Sequence, residues 1–154
     1  MVIHMNNSNV QSELPIEIRP IIDSDIAFIF SSWLRAYRNS YAVRDITQNV
    51  YYSEQHKIVE RCITKGSTLV LSALEDPATI YGYLNFEIVQ GQFVLHFAYI
   101  KQDFRKLGLF KSLLKATKHD FTGAGLYTHR VPKTFNILES KYNLIYHPYI
   151  LINY

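Results

Sequence analysis

One stretch of the chain combines the residue types that can hold a phosphate group. Residues 99–110 read YIKQDFRKLGLF, and they join an apolar strand pattern to a helical pattern. At such a junction the amides of the first helical turn point outward without partners and favour an anion. Gly108 has no Cβ, so an anion can approach the backbone closely. Arg105 and Lys106 add positive charge. The pattern therefore predicts a cradle for a pyrophosphate.

The spacing of this stretch excludes two common phosphate-binding motifs. The chain contains no G-x-x-x-x-G-K-[ST] sequence, and it lacks the glycine triplet of a dinucleotide fingerprint. The predicted cradle is therefore neither a Walker loop nor a Rossmann turn.

His96 and Glu87 are the side chains best suited to proton transfer. His96 lies in an apolar strand nine residues before Arg105, and an imidazole suits a general base near neutral pH. Glu87 ends the preceding strand and could act through a water. Each has a plainer alternative. His96 could be a hydrogen-bonded core histidine, and Glu87 could be a solvated charge at a strand end.

The elements that position these residues follow from hydrophobic periodicity. Apolar residues at spacings of three and four predict helices over 24–38, 53–65 and 107–120, with a shorter helix over 134–141. Alternating or continuous apolar runs predict strands over 16–19, 68–73, 80–89, 93–100, 126–129, 144–146 and 149–154. The order β-α-α-β-β-β-α-β-α-β-β predicts one α/β domain with a mixed sheet over residues 14–154. We expect residues 1–13 to form a flexible tail.

Composition excludes several classes of protein. With 154 residues, 48% hydrophobic and 19% charged, the chain can bury one core and is not low-complexity. The single cysteine excludes a disulfide scaffold. The six histidines show no pair at i, i+4, so we expect no metal site. No apolar run approaches the roughly 18 residues that span a bilayer. The polar start lacks the apolar region of a secretory signal, so we expect a cytoplasmic protein without a membrane partner.

Charge is distributed unevenly along the chain. Residues 1–100 hold 7 basic and 10 acidic side chains, whereas residues 101–154 hold 9 basic and 3 acidic ones. A local positive field attracts an anion, which could be a phosphorylated small molecule or a nucleic acid. A solvated helix face is the plain alternative. Nucleic acid is therefore a possible but not favoured partner, through Lys111, Lys115 and Lys118.

The cradle resembles that of the GNAT superfamily, the acyl-CoA-dependent N-acetyltransferases. That family's loop reads [Q/R]-x-x-G-x-[G/A] after a strand ending in V-x-P-x-[Y/F]. The matching residues here are Ile100, Asp103, Phe104, Arg105 and Gly108. Two positions depart from the pattern: Gln102 replaces the common proline, and Phe110 replaces the final small residue. A side chain as large as Phe110 must point into the core, or it will crowd the pyrophosphate.

The resemblance extends over about residues 14–154. Ile18, Arg19, Pro20 and Asp25 look like the family's first strand and helix start, and the order of elements matches. Residues 31–38, SSWLRAYR, also look like small GNAT-type proteins encoded by tailed phages. A phage-encoded protein, in the cytoplasm of an infected bacterium, is the origin that this second match suggests.

The resemblance implies an activity and a set of site residues. It implies that acetyl-CoA is the cosubstrate and that a primary amine, on a small molecule or a protein, attacks the thioester directly. It implies cofactor contacts from Ala98, Tyr99, Ile100, Arg105, Lys106, Leu107, Gly108, Leu109 and Phe110. Backbone groups near the first three would polarise the carbonyl.

The same resemblance does not decide which residue is the general acid. The family's terminal helix often carries a tyrosine that protonates the leaving thiolate. In the best register Glu139 occupies that position, and Tyr142 and Tyr127 are the nearby candidates, of which Tyr142 is the one we select. The alternative is a protein of the same fold that binds CoA or a partner protein without catalysis. We expect a monomer or a homodimer, because an edge strand near the C-terminus could pair with a second copy.

Overall fold

The structure is a computed structural model, and it describes residues 2–7, 10–119, 123 and 125–152. It contains seven strands: β1 (Val2–Asn7), β2 (Val10–Pro20), β3 (Ser67–Ala73), β4 (Ile80–Val89), β5 (Gln92–Ile100), β6 (Gly125–Tyr127) and β7 (Leu144–Tyr146). Its four α-helices are α1 (Ile26–Tyr37), α2 (Gln48–Lys65), α3 (Leu109–Ala116) and α4 (Phe135–Tyr142). Single 3₁₀ turns cover Asp23–Asp25, Gln102–Phe104 and Pro148–Leu151.

The strands form one mixed sheet in the order β1-β2-β3-β4-β5-β6-β7. Neighbouring strands from β1 to β5 are antiparallel, whereas β5–β6 and β6–β7 are parallel. The parallel pairs follow from helical crossovers, since α3 lies between β5 and β6 in the chain and α4 lies between β6 and β7. The predicted mixed α/β sheet is confirmed.

Helices cover both faces of this sheet, because the strands carry apolar side chains on both sides. The α1–α2 face buries Ile29, Trp33, Val59, Val70, Tyr83 and Phe97. The α3–α4 face buries Leu71, Leu84, Leu95, Leu113, Tyr127 and Leu138. The apolar stripe that predicted α1 is the stripe that packs on the first face. The core is thus two apolar layers separated by the sheet.

Several boundaries differ from the sequence-based expectation; α3, for example, ends at Ala116 rather than at residue 120. The predicted last strand over 149–154 is instead a 3₁₀ turn opened by Pro148, since proline suits the first turn of a helix and not a strand interior; residues 153 and 154 lie outside the described residues. Helix α2 begins at Gln48 rather than at residue 53. Where a flexible tail was expected, the backbone of residues 2–7 pairs with residues 10–15. The domain start at residue 14 stays a prediction.

A bulge in β5 and an early separation from β6 shape the centre of the sheet. Asn85 lies opposite Phe97 but Phe86 lies opposite Leu95, so His96 is an extra residue in β5. A bulge re-aims the side chains that follow it, and here His96 and Phe97 both face α1 and α2.

The separation begins just beyond the bulge. Within β5, strand β6 pairs only with Val94 and Leu95, and the amide of Thr128 donates the last bond to the Leu95 carbonyl at 3.1 Å. Among the described residues, no strand pairs with residues 96–100 on this side. We call the space between residues 96–100 and residues 128–131 the fork.

Candidate active site

The loop predicted to cradle a phosphate joins β5 to α3. Gly108 caps α3 in the left-handed conformation, with φ at +77°. A Cβ at Gly108 would meet nothing within 4 Å, so open space lies in front of the first turn of the helix. Arg105 Nε donates to the carbonyl oxygen of Ile100 at 2.8 Å and ties the loop to the end of β5. Lys106 is exposed and also has a positive φ of 65°.

Phe110 does not obstruct this space. Its ring packs edge-on against the ring of Tyr142 on α4, with centroids 5.6 Å apart and an interplanar angle of 84°. Leu109 is buried in the same α3–α4 core, and Leu107 packs against it. The large residue at the position where the GNAT pattern has a small one therefore points into the core. The loop residues present fit a pyrophosphate group.

The end of β5 presents backbone groups to the fork. The amide of Lys101 donates to the Tyr81 carbonyl of β4 at 2.8 Å, so alternation along the strand places the Tyr99 groups on the β4 side. The Tyr99 carbonyl lies against Gly82 of β4, as this requires. The backbone groups of Ala98 and Ile100 consequently face the fork. Of the three residues predicted to contact the pantetheine arm, two offer their backbones there.

The structure brings His96 and Glu87 together. His96 Nε2 lies 2.7 Å from Glu87 Oε2, and Arg61 on α2 donates to the same carboxylate at 2.8 and 3.3 Å. The His96 side chain is completely buried, whereas the side chains of Glu87 and Arg61 are each 12% exposed. The pair lies on the α2 face of β4 and β5.

Both ring nitrogens of His96 already have partners. Nδ1 lies 2.9 Å from Thr128 Oγ1, and that hydroxyl lies 2.9 Å from His129 Nδ1. The other nitrogen of His129, Nε2, lies 2.9 Å from the amide nitrogen of Gln55 on α2. His96 can therefore reach a substrate only through another group.

Burial sets the charge states along this chain of contacts. Burial lowers the pKa of His96, although the hydrogen bond to Glu87 opposes the shift. Burial lowers the pKa of His129 to about 3, and the nearby His96 adds to the effect. Burial acts to raise the pKa of Glu87, but hydrogen bonds from His96 and Arg61 outweigh it and the pKa is lowered. Both histidines are thus neutral and the carboxylate is ionised near pH 7.

Tyr142 lies on the other face of the sheet, against α3 and Phe110, so the structure does not bring it together with His96 and Glu87. Burial raises its pKa. Glu139, at the family's tyrosine position, pairs instead with Arg130 at 3.5 Å. The hydroxyl of Tyr127 is buried near this pair but outside hydrogen-bond geometry, and burial and the Glu139 carboxylate raise its pKa to about 12.

Sequence reasoning missed Gln55, Arg61, Thr128 and His129. One signal was available for Gln55, which continues the buried stripe of Tyr51, Val59 and Cys62 on α2. A polar residue on an apolar stripe predicts a buried hydrogen bond. Arg61 lies on α2, and the adjacent Thr128 and His129 follow β6. No spacing in the sequence connects them with His96 and Glu87.

Comparison with known proteins shows the fold. No family model matches the chain, and no curated protein matches it. A possible acetyltransferase from Clostridium difficile 630 is 15% identical with a TM-score of 0.51, over 82% of this chain and 87% of that one. A ribosomal-protein-alanine N-acetyltransferase from Brucella melitensis biovar Abortus 2308 is 16% identical with a TM-score of 0.52, over 82% and 89%. The expected GNAT-like fold is confirmed.

The described part of the chain contains neither a candidate membrane-spanning helix nor a candidate metal centre. No helix there is both long and apolar enough to cross a bilayer. No group of three or more His, Cys, Asp and Glu side chains there is arranged to hold a metal ion.

Proposed function

We propose that this chain is an N-acetyltransferase that takes acetyl-CoA as cosubstrate and a primary amine as acceptor. The observation that carries the proposal is the cradle at the end of β5. There a left-handed Gly108 with open space before it opens α3, and Phe110 turns away from that space. The cradle adjoins the fork, as a ligand with a phosphate end and a thioester end requires.

The residues of the cradle would bind and orient the cosubstrate. Unpaired amides in the first turn of α3 would hold the pyrophosphate, and the exposed side chains of Arg105 and Lys106 would add positive charge. The fork-facing backbone groups of Ala98 and Ile100 would pair with the pantetheine arm and donate toward the thioester oxygen. Acetyl-CoA itself supplies the activated acetyl group.

The proton-transfer roles remain proposals. Glu87 and His96 together would form the general base, although β5 separates Glu87 from the fork. Tyr142 remains the proposed acid, acting from the α4 side. The cytoplasmic location, the phage origin and the monomeric or dimeric state also stay predictions.

A thermal-shift measurement with acetyl-CoA tests the binding step. A ligand at 100 times its dissociation constant adds about 2.7 kcal/mol to the free energy of unfolding. For a domain of this size, that gain raises the melting temperature by roughly 5–10 °C. Gly108→Ala should reduce the shift, because a methyl group would intrude on the cradle. Gly91→Ala is a matched control, since Gly91 also has φ +77° and nothing within 4 Å of a Cβ, at the distant β4–β5 turn. Both variants bear the same left-handed strain, so only the ligand response should separate them.

Release of free thiol in the presence of a panel of alkylamines, aralkylamines and lysine peptides tests turnover. A clear shift with amine-dependent thiol release supports the proposal. A shift without turnover would instead indicate a CoA-binding protein of the same fold. No shift at millimolar acetyl-CoA would refute the proposal, and salt-dependent binding to DNA or RNA would then become the next measurement.

A further inference from the structure

We infer that Thr128 and His129 form a proton relay with His96, which connects the fork to the Glu87 carboxylate. This inference rests on the proposed function, since the relay carries off the proton that the acceptor amine loses. His129 is thus the catalytic residue that meets the amine, and Thr128 is a positioning residue that links it to the Glu87–His96 general base.

The relay answers a geometric difficulty in the site. Glu87 lies on β4 and the fork opens on the opposite side of β5, so the carboxylate does not line the fork. The Thr128 hydroxyl bridges from His96 on β5 to His129 beyond β6. His129 lies at the inner end of the fork, where its ring contacts those of Trp33 and Phe97 at 5.1 and 6.0 Å.

The contacts determine the direction of every hydrogen bond in the chain. The Glu87 carboxylate only accepts, so His96 Nε2 carries a proton. The neutral ring then has a bare Nδ1, which accepts from the Thr128 hydroxyl. Because that hydroxyl donates to His96, it accepts from His129 Nδ1.

The fork-side end of the chain follows from the same reasoning. His129 is neutral and carries its proton on Nδ1, so its Nε2 is bare. That nitrogen accepts from the Gln55 amide. Arg61 Nη1 and His96 Nε2, 3.3 Å apart, are both donors and make no bond with each other. Every donor in this hydrogen-bonded chain thus has an acceptor, and the His129 imidazole also has the His96 backbone carbonyl as a second one. All the side-chain bonds run from Gln55 toward Glu87.

A one-directional chain can pass one proton along its length. The amine's N–H bond breaks as its proton joins His129 Nε2, once the Gln55 amide has moved aside. The Nδ1 proton of His129 passes to Thr128, and the Thr128 proton passes to His96 Nδ1. The proton gained by the chain then belongs to the His96–Glu87 pair, whose carboxylate is partly exposed and returns it to solvent. Meanwhile the amine nitrogen bonds to the acetyl carbon, the C–S bond breaks, and the thiolate takes the hydroxyl proton of the proposed acid Tyr142, which regains a proton from solvent.

The surroundings of the hydrogen-bonded chain from Gln55 to Glu87 are mostly apolar. The charged and titratable groups that face it are Arg61 and Cys62 on α2, Glu87 on β4 and Tyr37 on α1. Arg61 opposes a positive charge on His96 while Glu87 favours it, so the pair can release the proton as well as accept it.

Substitutions of Thr128 test the relay, with the best amine of the panel as acceptor. Thr128→Val keeps the shape of the side chain but removes the hydroxyl, and we expect kcat to fall by roughly 100-fold or more. The KM for acetyl-CoA should not change, because the cradle is untouched. Thr128→Ser keeps the hydroxyl and should retain kcat within about threefold. The dependence of kcat on pH should flatten in the valine variant alone.

Nitrogen-15 NMR of the imidazole rings gives a readout that does not depend on turnover. In the free wild-type protein we expect His96 to be protonated on Nε2 only and His129 on Nδ1 only. These tautomers and the serine variant remain informative if the valine variant does not fold.

The outcomes separate the relay from the proposed function. Opposite tautomers, or a valine variant with wild-type kcat, would overturn the relay while leaving the acetyltransferase proposal standing. A wild-type protein without amine-dependent turnover would refute the proposed function and the relay's role with it. The predicted tautomers together with a kcat loss confined to the valine variant would support both.

Discussion

Acidification should destabilise this protein well above the pH at which its carboxylates titrate, because His129 is buried neutral. The imidazole is 4% exposed and lies between the rings of Trp33, Tyr37 and Phe97. Burial lowers its pKa in the folded protein to about 3. In the unfolded chain a histidine has a pKa of about 6.5. The unfolded state therefore binds more protons than the folded state between these two values, and stability falls as pH falls.

The size of the effect follows from the two pKa values. Full stability from this group is present above about pH 6.5. Lowering the pH from 7 to 5 removes about 2 kcal/mol, and lowering it to 4 removes about 3 kcal/mol. The total free energy of unfolding of a domain of this size is roughly 5–15 kcal/mol. The pKa of His96 is lowered as well, so its contribution has the same sign and adds to the loss.

Urea unfolding at pH 7, 6 and 5 measures this loss. The range ends at pH 5 because Asp25 and Glu87, whose pKa values are lowered, contribute only at more acidic pH. In His129→Gln the loss between pH 7 and 5 should shrink by about 2 kcal/mol, whatever the cost of the substitution at neutral pH. His147→Gln is the control, because it also replaces a histidine by glutamine, but at an exposed position.

Two results would contradict this reasoning. One is a His129→Gln variant that keeps the wild-type loss between pH 7 and 5. The other is an NMR titration of the wild-type protein in which the His129 ring becomes protonated with a midpoint above pH 5. Either would show that the ring is solvated or paired with a negative charge in solution.

Three further predictions concern packing and charge burial. Gly82→Ala should cost about 2 kcal/mol in urea unfolding, because its Cβ would overlap the Tyr99 carbonyl oxygen and neither backbone can yield freely; wild-type stability would contradict that overlap. Arg19→Met should cost about 3 kcal/mol, since it leaves the Asp25 carboxylate, 1% exposed, without its two guanidinium bonds of 2.7 and 2.9 Å; a double variant with Asp25→Asn should recover part of the loss. Phe110→Ala should cost about 2 kcal/mol but leave the thermal shift with acetyl-CoA unchanged, because the ring points into the core; a larger shift would mean that the ring obstructs the cradle.

Local patterns were sufficient for most elements of the fold. Strand β4 has the predicted boundaries, and β5 begins one residue before its predicted start. The order of helices and the mixed sheet also followed from periodicity. Such features depend on contacts between a short segment and a generic apolar layer, so neighbouring residues carry the information. The N-terminal pairing and the 3₁₀ turn at Pro148 were missed, since pairing partners and a turn near a chain end depend on the rest of the fold.

The candidate site divides in the same way. The sequence by itself located the candidate cradle, because the positive φ at this strand-to-helix junction is a local backbone requirement that glycine meets. It also identified His96 and Glu87 as candidates by residue type. Only the tertiary structure decided that Phe110 turns into the core and that the bulge at His96 re-aims that ring toward α2. The hydrogen-bonded chain from Glu87 to Gln55 likewise joins β4, β5, the segment after β6 and α2, whose residues are far apart in sequence. Its geometry exists only after the sheet and α2 have packed, since each bond depends on burial and on partners that no local pattern specifies.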